Sequence, residues 1–312
     1  MTQTLQLRKV RDFGERIGDS MTFIKLNWAR MLGLYAVFVI PFLLVGIILG
    51  ANSIADFITK FSGSLNAFTS VMGIKLALAM VMFFFASSSY AAVVYLYMDH
   101  VEKNNGAQPA IADIGKRLLK PMLYNMGYSI LVFAIIMMVV VFFALGVVGG
   151  KSNPLLLLIA VPLCMFGGLF TMVYVLMMFP VNVIGNGRFG SAISGTFQLL
   201  RGRWWFTIGF IIILFIIYYF FSLAISTMVN LLFGLTSINM MDPEKITGMG
   251  KTYAYVFGLN TIIQQVFYLV IFVGCGIHFY STQEEKMGAG LEQQIDNIGV
   301  KGHREEGKEE TW

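Results

Sequence analysis

Three residues of this chain have side chains that could carry out acid–base or metal chemistry. Asp99 and His100 are adjacent, and His278 lies far along the chain. If folding brought His278 to this pair, a carboxylate and two imidazoles could exchange protons or bind a metal ion. The chain has only 3 His residues, and these positions border long apolar runs. We therefore interpret them as helix ends and predict no catalytic residue, no metal site, no cofactor and no enzymatic activity.

A second set of candidates consists of uncharged polar residues within the apolar runs. Such side chains could line a polar cavity for a lipid headgroup or a small solute, but hydrogen bonds between packed helices would explain them equally well. No charged residue lies in the middle of a run, where it would indicate a path for protons or ions. The candidates for a polar cavity are Ser87, Ser88, Ser89, Asn125, Asn260, Gln264 and Gln265.

A third set combines basic and aromatic residues just before apolar runs, as in "RGRWW" at 201–205. Basic side chains set the orientation of a membrane span, and indole rings favour the headgroup layer. We predict that this set anchors the chain at the membrane surface, with specific binding of anionic lipid as the alternative. Its members are Lys25, Trp28, Arg30, Arg201, Arg203, Trp204 and Trp205.

The composition places these candidates in a membrane protein. Hydrophobic residues make up 57% of the 312 residues and charged residues 12%, which is too little charge for a soluble domain of this size. Continuous apolar runs without strand-like alternation predict helices, because lipid offers the backbone no hydrogen-bond partners. We predict six transmembrane helices, near 31–50, 74–98, 122–148, 154–179, 205–234 and 253–280.

The basic residues predict the orientation of the spans. Because successive spans cross the membrane in alternating directions, four connecting or terminal segments should lie on the same side. These segments contain seventeen of the 22 Lys and Arg residues, and they are 1–30, 99–121, 181–204 and 281–312. Loops rich in Lys and Arg stay in the cytoplasm, so both termini are predicted to be cytoplasmic. The net charge of +5 is explained by these residues and meets anionic lipid first. We predict no nucleic-acid partner.

An internal repeat appears before the first, third and fifth spans. "IGDSMTFIKLNWARMLG", "IADIGKRLLKPMLYNMG" and "ISGTFQLLRGRWWFTIG" align without a gap. In the first, Phe13 and Ile17 share a helical face opposite Arg16 and Asp19, as in an amphipathic helix. We predict an all-α domain, 1–280, of three helical hairpins (about 8–98, 107–180 and 189–280), each preceded by a cytoplasmic amphipathic helix. A polar, partly disordered cytoplasmic tail should follow at 281–312.

This repeated pattern, with "FYSTQEEKMGAGLEQQIDNIG" at 279–299, resembles bacterial six-span proteins related to the membrane domain of glycerophosphodiester phosphodiesterases. The resemblance implies a bacterial cytoplasmic (inner) membrane location. Those phosphodiesterases carry their catalytic residues in a separate soluble barrel, and no segment here is polar or long enough to form one. The resemblance therefore assigns no catalytic residue to this chain.

We expect a non-enzymatic integral membrane scaffold or accessory subunit, whose cytoplasmic rim engages lipid headgroups or a partner protein. The alternative is a transporter or flippase for a lipid or small amphiphile that uses the polar set as its path. Pro41 and Pro162 are expected to interrupt the first and fourth spans. These positions are not equivalent in the repeat, whereas transporters break their helices at matching positions, and this weakens the alternative.

Overall fold

The described part of the chain is almost entirely helical. The computed structural model describes residues 5–60, 71–148, 154–185, 189–232, 256 and 258–287, and no strand occurs among them. The helices are α1 Phe13–Phe38, α2 Ile40–Lys60, α3 Val71–Lys103, α4 Ile111–Val148, α5 Pro154–Val183, α6 Phe189–Leu200, α7 Trp204–Leu232, α8 at 258–266 and α9 Tyr268–Met287.

Five of the described helical stretches are long and apolar enough to cross a membrane, and a sixth exists if α1 and α2 together form one bent span. The predicted all-α membrane fold is confirmed. The arrangement as three repeated hairpins stays a prediction. The polar tail was predicted to begin at residue 281, but α9 continues to Met287, and Ser281 and Thr282 are buried. The rest of that tail lies outside the described residues.

The three segments that were predicted to precede the hairpins are not alike. The first and second run without a break into α1 and α4, whereas only the third is a separate helix, α6. A tight turn at residues 201–203 separates α6 from α7, and Gly202 adopts a φ of 80° there. Glycine tolerates this left-handed conformation without strain. In the first two units the segment predicted as an amphipathic helix is therefore continuous with the helix that follows, and the amphipathic helix before each hairpin stays a prediction.

Helices α3 and α9 occupy the centre of the bundle. Every side chain from Tyr90 to Met98 is buried, as is every residue from Leu269 to Thr282. A Cβ atom on Gly276 would lie 2.6 Å from the Met98 sulfur, so the glycine allows close packing of the two helices. Small and polar residues favour such contacts in membranes. The more uniformly apolar α7 instead exposes large side chains, among them Tyr219, Phe220 and Leu232.

The helices α1 and α2 are bent by 48° relative to each other. Pro41 lies in the first turn of α2, where proline is tolerated but cannot continue a preceding helix. The Phe38 carbonyl at this break accepts a hydrogen bond from Ser89 Oγ at 2.9 Å. The expected interruption at Pro41 is present. Pro162, in contrast, lies inside α5 without ending it.

A second break, which no proline or glycine marks, separates α8 from α9 at Phe267. Carbonyl groups before this break accept hydrogen bonds from tyrosines of other helices. Tyr35 Oη donates to the Ile262 carbonyl at 2.7 Å, and Tyr90 Oη donates to the Val266 carbonyl at 2.9 Å. Since Tyr35 lies one turn before the end of α1, this bond links α1 directly to α8.

Candidate interfacial site at the basic end

Charged residues gather at one end of the bundle, here called the basic end and comprising 5–30, 99–121, 184–185, 189–204 and 278–287. Arg8 Nε lies 2.7 Å from Glu102 Oε1, and Lys286 Nζ donates to the Gln198 and Arg201 carbonyls at 2.7 and 3.0 Å. Segments that the Lys and Arg distribution predicted to share one side therefore meet. Which side of a membrane this end occupies stays a prediction.

Arg16 is the centre of a buried cluster at the basic end. Its side chain is 1% exposed. Its guanidinium donates to His278 Nδ1 at 2.6 Å, to Thr282 Oγ1 at 3.2 Å and to the Arg11 carbonyl at 3.1 Å. It also lies 4.7 Å from the centroid of the Phe206 ring, a cation–π distance. The expectation that Arg16 belongs to a polar helix face is wrong, because the side chain turns into the bundle.

The hydrogen bonds around His278 define its protonation. Because a guanidinium can only donate, Nδ1 must be the acceptor and the proton must lie on Nε2. Nε2 is 3.0 Å from Thr207 Oγ1, which can accept that proton. The imidazole stacks on Phe206 and Phe210, with ring centroids 5.9 and 4.9 Å away. A neutral His278 thus connects α1 to α7 and packs as an aromatic ring.

Glu285 supplies the nearest carboxylate to this cluster. Its Oε2 lies 3.4 Å from Arg16 NH2, and its Oε1 pairs with the Arg203 guanidinium. His278, Thr282 and Glu285 follow a spacing of four and three residues, so they share one face of α9. This polar stripe at the end of the last span is the sequence signal that could have indicated the cluster.

The N-terminal segment folds around a second buried arginine. Arg11 donates to the Leu7 carbonyl at 2.7 Å and pairs with Asp19 Oδ2 at 2.6 Å. Its backbone N–H donates to Ser281 Oγ at 2.9 Å. Buried cations need several such acceptors to offset desolvation. The side chain therefore fixes the approach of the segment to α9.

Asp99 and His278 do not form the acid–base pair considered from the sequence. Asp99 is buried and pairs instead with Lys103 Nζ at 2.8 Å and Arg117 NH2 at 3.1 Å. It therefore connects α3 to the start of α4. In the described part of the chain, no group of three or more His, Cys, Asp or Glu side chains could hold a metal ion.

The seven predicted interfacial residues divide into two groups. Lys25, Trp28, Arg201 and Trp205 are exposed, with Trp28 at 40% and Trp205 at 71%. Trp205 also contacts the Phe170 ring at a centroid distance of 5.9 Å. The other three are less exposed and make contacts within the protein. Arg30 donates to the Pro109 carbonyl at 2.7 Å, Arg203 pairs with Glu285, and Trp204 stacks on Tyr174 with a centroid distance of 6.2 Å.

The seven predicted polar-cavity residues do not converge on one site. Ser87, Ser88 and Ser89 lie on α3, where Ser89 binds the Phe38 carbonyl and Ser88 Oγ is buried without a partner. Asn125 of α4 accepts a hydrogen bond from Asn182 of α5 at 3.0 Å. Asn260 of α8 donates to Ser226 of α7 at 3.2 Å, and Gln264 and Gln265 are half-buried on α8.

A cleft opens between α3, α4 and α5 at the basic end, with a volume of about 590 Å³. It is lined in part by Leu96, Lys116, Arg117, Lys120, Asn182 and Val183, and is called the α4 cleft below. Asn182 is the hydrogen-bond partner of Asn125, so one predicted polar residue lies directly behind its wall. The three lining cations were not among the predicted site residues.

Comparisons with protein-family models, curated proteins and solved structures gave no match to this chain. The resemblance to six-span proteins related to the phosphodiesterase membrane domain therefore stays a prediction.

Proposed function

We propose that this protein is a non-enzymatic integral membrane scaffold or accessory subunit of the bacterial cytoplasmic membrane, with both termini in the cytoplasm. Its basic end engages anionic lipid headgroups and offers a surface to a partner protein. The exposed Trp28 and Trp205 lie beside the exposed cations Lys25 and Arg201 in sequence, and indole with cation is the pairing favoured in the headgroup layer.

The distribution of charge at the basic end carries this proposal. Several carboxylates there pair with cations of the protein itself, as Asp19 with Arg11, Asp99 with Lys103 and Glu102 with Arg8. Their cations are thereby neutralised, whereas Lys25 and Arg201 are exposed and have no carboxylate partner among the described residues. Exposed cations of this kind attract anionic lipid by about 1 kcal/mol each.

Purification from native membranes under mild detergent tests the scaffold function. We expect a protein partner to co-elute in fixed stoichiometry with the full chain. The variant Lys25→Glu plus Arg201→Glu should lose it, because both substitutions reverse exposed charge. The matched variant Lys9→Glu changes an exposed cation that is already paired with Glu15 and should retain the partner. A chain that elutes alone in every case would contradict the scaffold function.

One observation favours the alternative of a transporter or flippase. The helices are interrupted at Val39 and at Phe267, and discontinuous helices often form transport sites. Flux of a labelled phospholipid across reconstituted vesicles tests this function. Gln264→Leu on α8 and Ser88→Leu on α3 should each reduce the flux. Equal rates in protein-containing and protein-free vesicles would exclude flippase activity for that lipid.

A further inference from the structure

We propose that the α4 cleft binds the headgroup of one anionic phospholipid. This inference rests on the proposed function, since it requires the basic end to lie at the headgroup layer of a membrane. It adds a defined site and a ligand class to what would otherwise be a diffuse attraction between a basic surface and lipid.

The two lysines of the α4 cleft have no carboxylate partner among the described residues, although Lys120 Nζ lies 5.9 Å from the centroid of the Tyr124 ring. Lys116 and Lys120 are both exposed, and they lie four residues apart on one face of α4. Neither forms an ion pair within the described part of the chain. Like charges at this spacing destabilise a helix, and a bound anion between them would reverse the effect. A phosphate group has the charge and the acceptor oxygens that two ammonium groups require.

The third cation is oriented by a buried carboxylate. Arg117 NH2 lies 3.1 Å from Asp99 Oδ2, and Lys103 Nζ lies 2.8 Å from Asp99 Oδ1. Because Asp99 pairs with two cations, it neutralises only one of them. Arg117 lines the same cleft as the two lysines, so the cleft keeps a positive charge next to the carboxylate.

The remaining lining distinguishes a lipid from a free phosphate. Leu96, Leu119, Leu123 and Val183 form an apolar part of the cleft, suited to the first methylenes of an acyl chain. The amide of Asn182, which is buried, lies in the same wall and can bind an ester or hydroxyl oxygen of the glycerol. The volume of about 590 Å³ is that of a small-molecule site.

Native mass spectrometry of the full chain in detergent tests this site. The probes are dioleoylphosphatidylglycerol, dioleoylphosphatidylcholine and, as a soluble phosphate without acyl chains, glycerol 1-phosphate. We expect the wild type to retain one phosphatidylglycerol in preference to phosphatidylcholine, and not to retain glycerol 1-phosphate. The variant Lys116→Gln plus Lys120→Gln should bind phosphatidylglycerol about thirty-fold more weakly, at about five-fold per lysine.

The matched control is Lys25→Gln plus Arg201→Gln, which removes the same charge from the basic end but outside the α4 cleft. We expect it to keep the tightly bound lipid. If both double variants lose affinity equally, headgroup engagement is diffuse and the defined site is wrong, while the proposed function survives. If the wild type does not prefer phosphatidylglycerol, the site and the lipid part of the proposed function both fail. Retention of glycerol 1-phosphate with equal affinity would overturn the assignment to a lipid. Gel filtration and circular dichroism establish that each variant is folded.

Discussion

Replacement of the buried Arg16 by methionine should destabilise the bundle strongly. Methionine fills a similar elongated volume but donates no hydrogen bond. In the wild type, Arg16 donates hydrogen bonds to His278 Nδ1, to the Thr282 hydroxyl and to the Arg11 carbonyl. Thr282 can rotate its hydroxyl towards another partner, so we count two buried acceptors left unpaired. At about 1–2 kcal/mol for each, the free energy of unfolding should fall by about 3 kcal/mol.

Two features limit the size of this loss. Glu285 keeps Arg203 as its partner, so no carboxylate is left without a cation. Removal of a buried guanidinium also removes its desolvation cost. The lost cation–π contact with Phe206 acts in the opposite direction, by about 1 kcal/mol. The two unpaired buried acceptors therefore remain the main contribution to the loss in the free energy of unfolding.

The measurement is unfolding in mixed micelles of dodecylmaltoside and SDS, followed by far-ultraviolet circular dichroism. Arg201→Met is the matched control, since Arg201 is exposed at the same end and its replacement should change the unfolding free energy by less than about 0.5 kcal/mol. His278→Phe keeps an aromatic ring between Phe206 and Phe210 and removes an acceptor. The double variant with Arg16→Met should therefore be less destabilised than the sum of the single variants, by about 1–2 kcal/mol. Equal stability of Arg16→Met and Arg201→Met would refute the reasoning.

Three further substitutions test packing inside the bundle by the same unfolding assay. Asn125→Leu should cost about 1–3 kcal/mol because it leaves the Asn182 amide unpaired, and a second change, Asn182→Leu, should recover most of this loss. Tyr90→Phe should cost about 1 kcal/mol and speed hydrogen exchange near Val266, whose carbonyl loses its donor; unchanged exchange would contradict this role. Gly276→Val should cost about 1–3 kcal/mol, because its side chain would overlap α3, and a neutral effect would show that the helices can separate.

The spans could be predicted from the sequence because their signal is local. A run of about 20 apolar residues has few alternatives to a membrane helix. The central position of α3 and α9 is also visible in part, since "ASSSYAAVVYLY" and "GCGIHFYST" contain small and polar residues, whereas α7 is almost uniformly large and apolar. Composition therefore indicates which spans face protein and which face lipid.

The polar stripe on α9 indicates one side of the buried cluster, but its partner Arg16 could not be predicted because the contact depends on packing between distant segments. Arg16 and His278 are separated by 262 positions, and nothing near Arg16 in the sequence distinguishes it from the exposed cations. Helical periodicity placed it on the polar face, but at a helix–helix contact part of that face is buried. The break at Phe267 was not predicted for a different reason, because no proline or glycine at that position indicates an interruption of the helix.

The contacts at the two helix breaks favour a static scaffold over a transport path. A movable break needs carbonyl groups that can exchange partners with water or substrate. Here Ser89 binds the Phe38 carbonyl at the first break, while Tyr35 and Tyr90 bind carbonyls at the second. Independent movement of either span would break these bonds where lipid offers no replacement, at about 1–3 kcal/mol for each group. The side chains that donate hydrogen bonds to these carbonyls therefore also hold α1, α3 and α8 together as one unit.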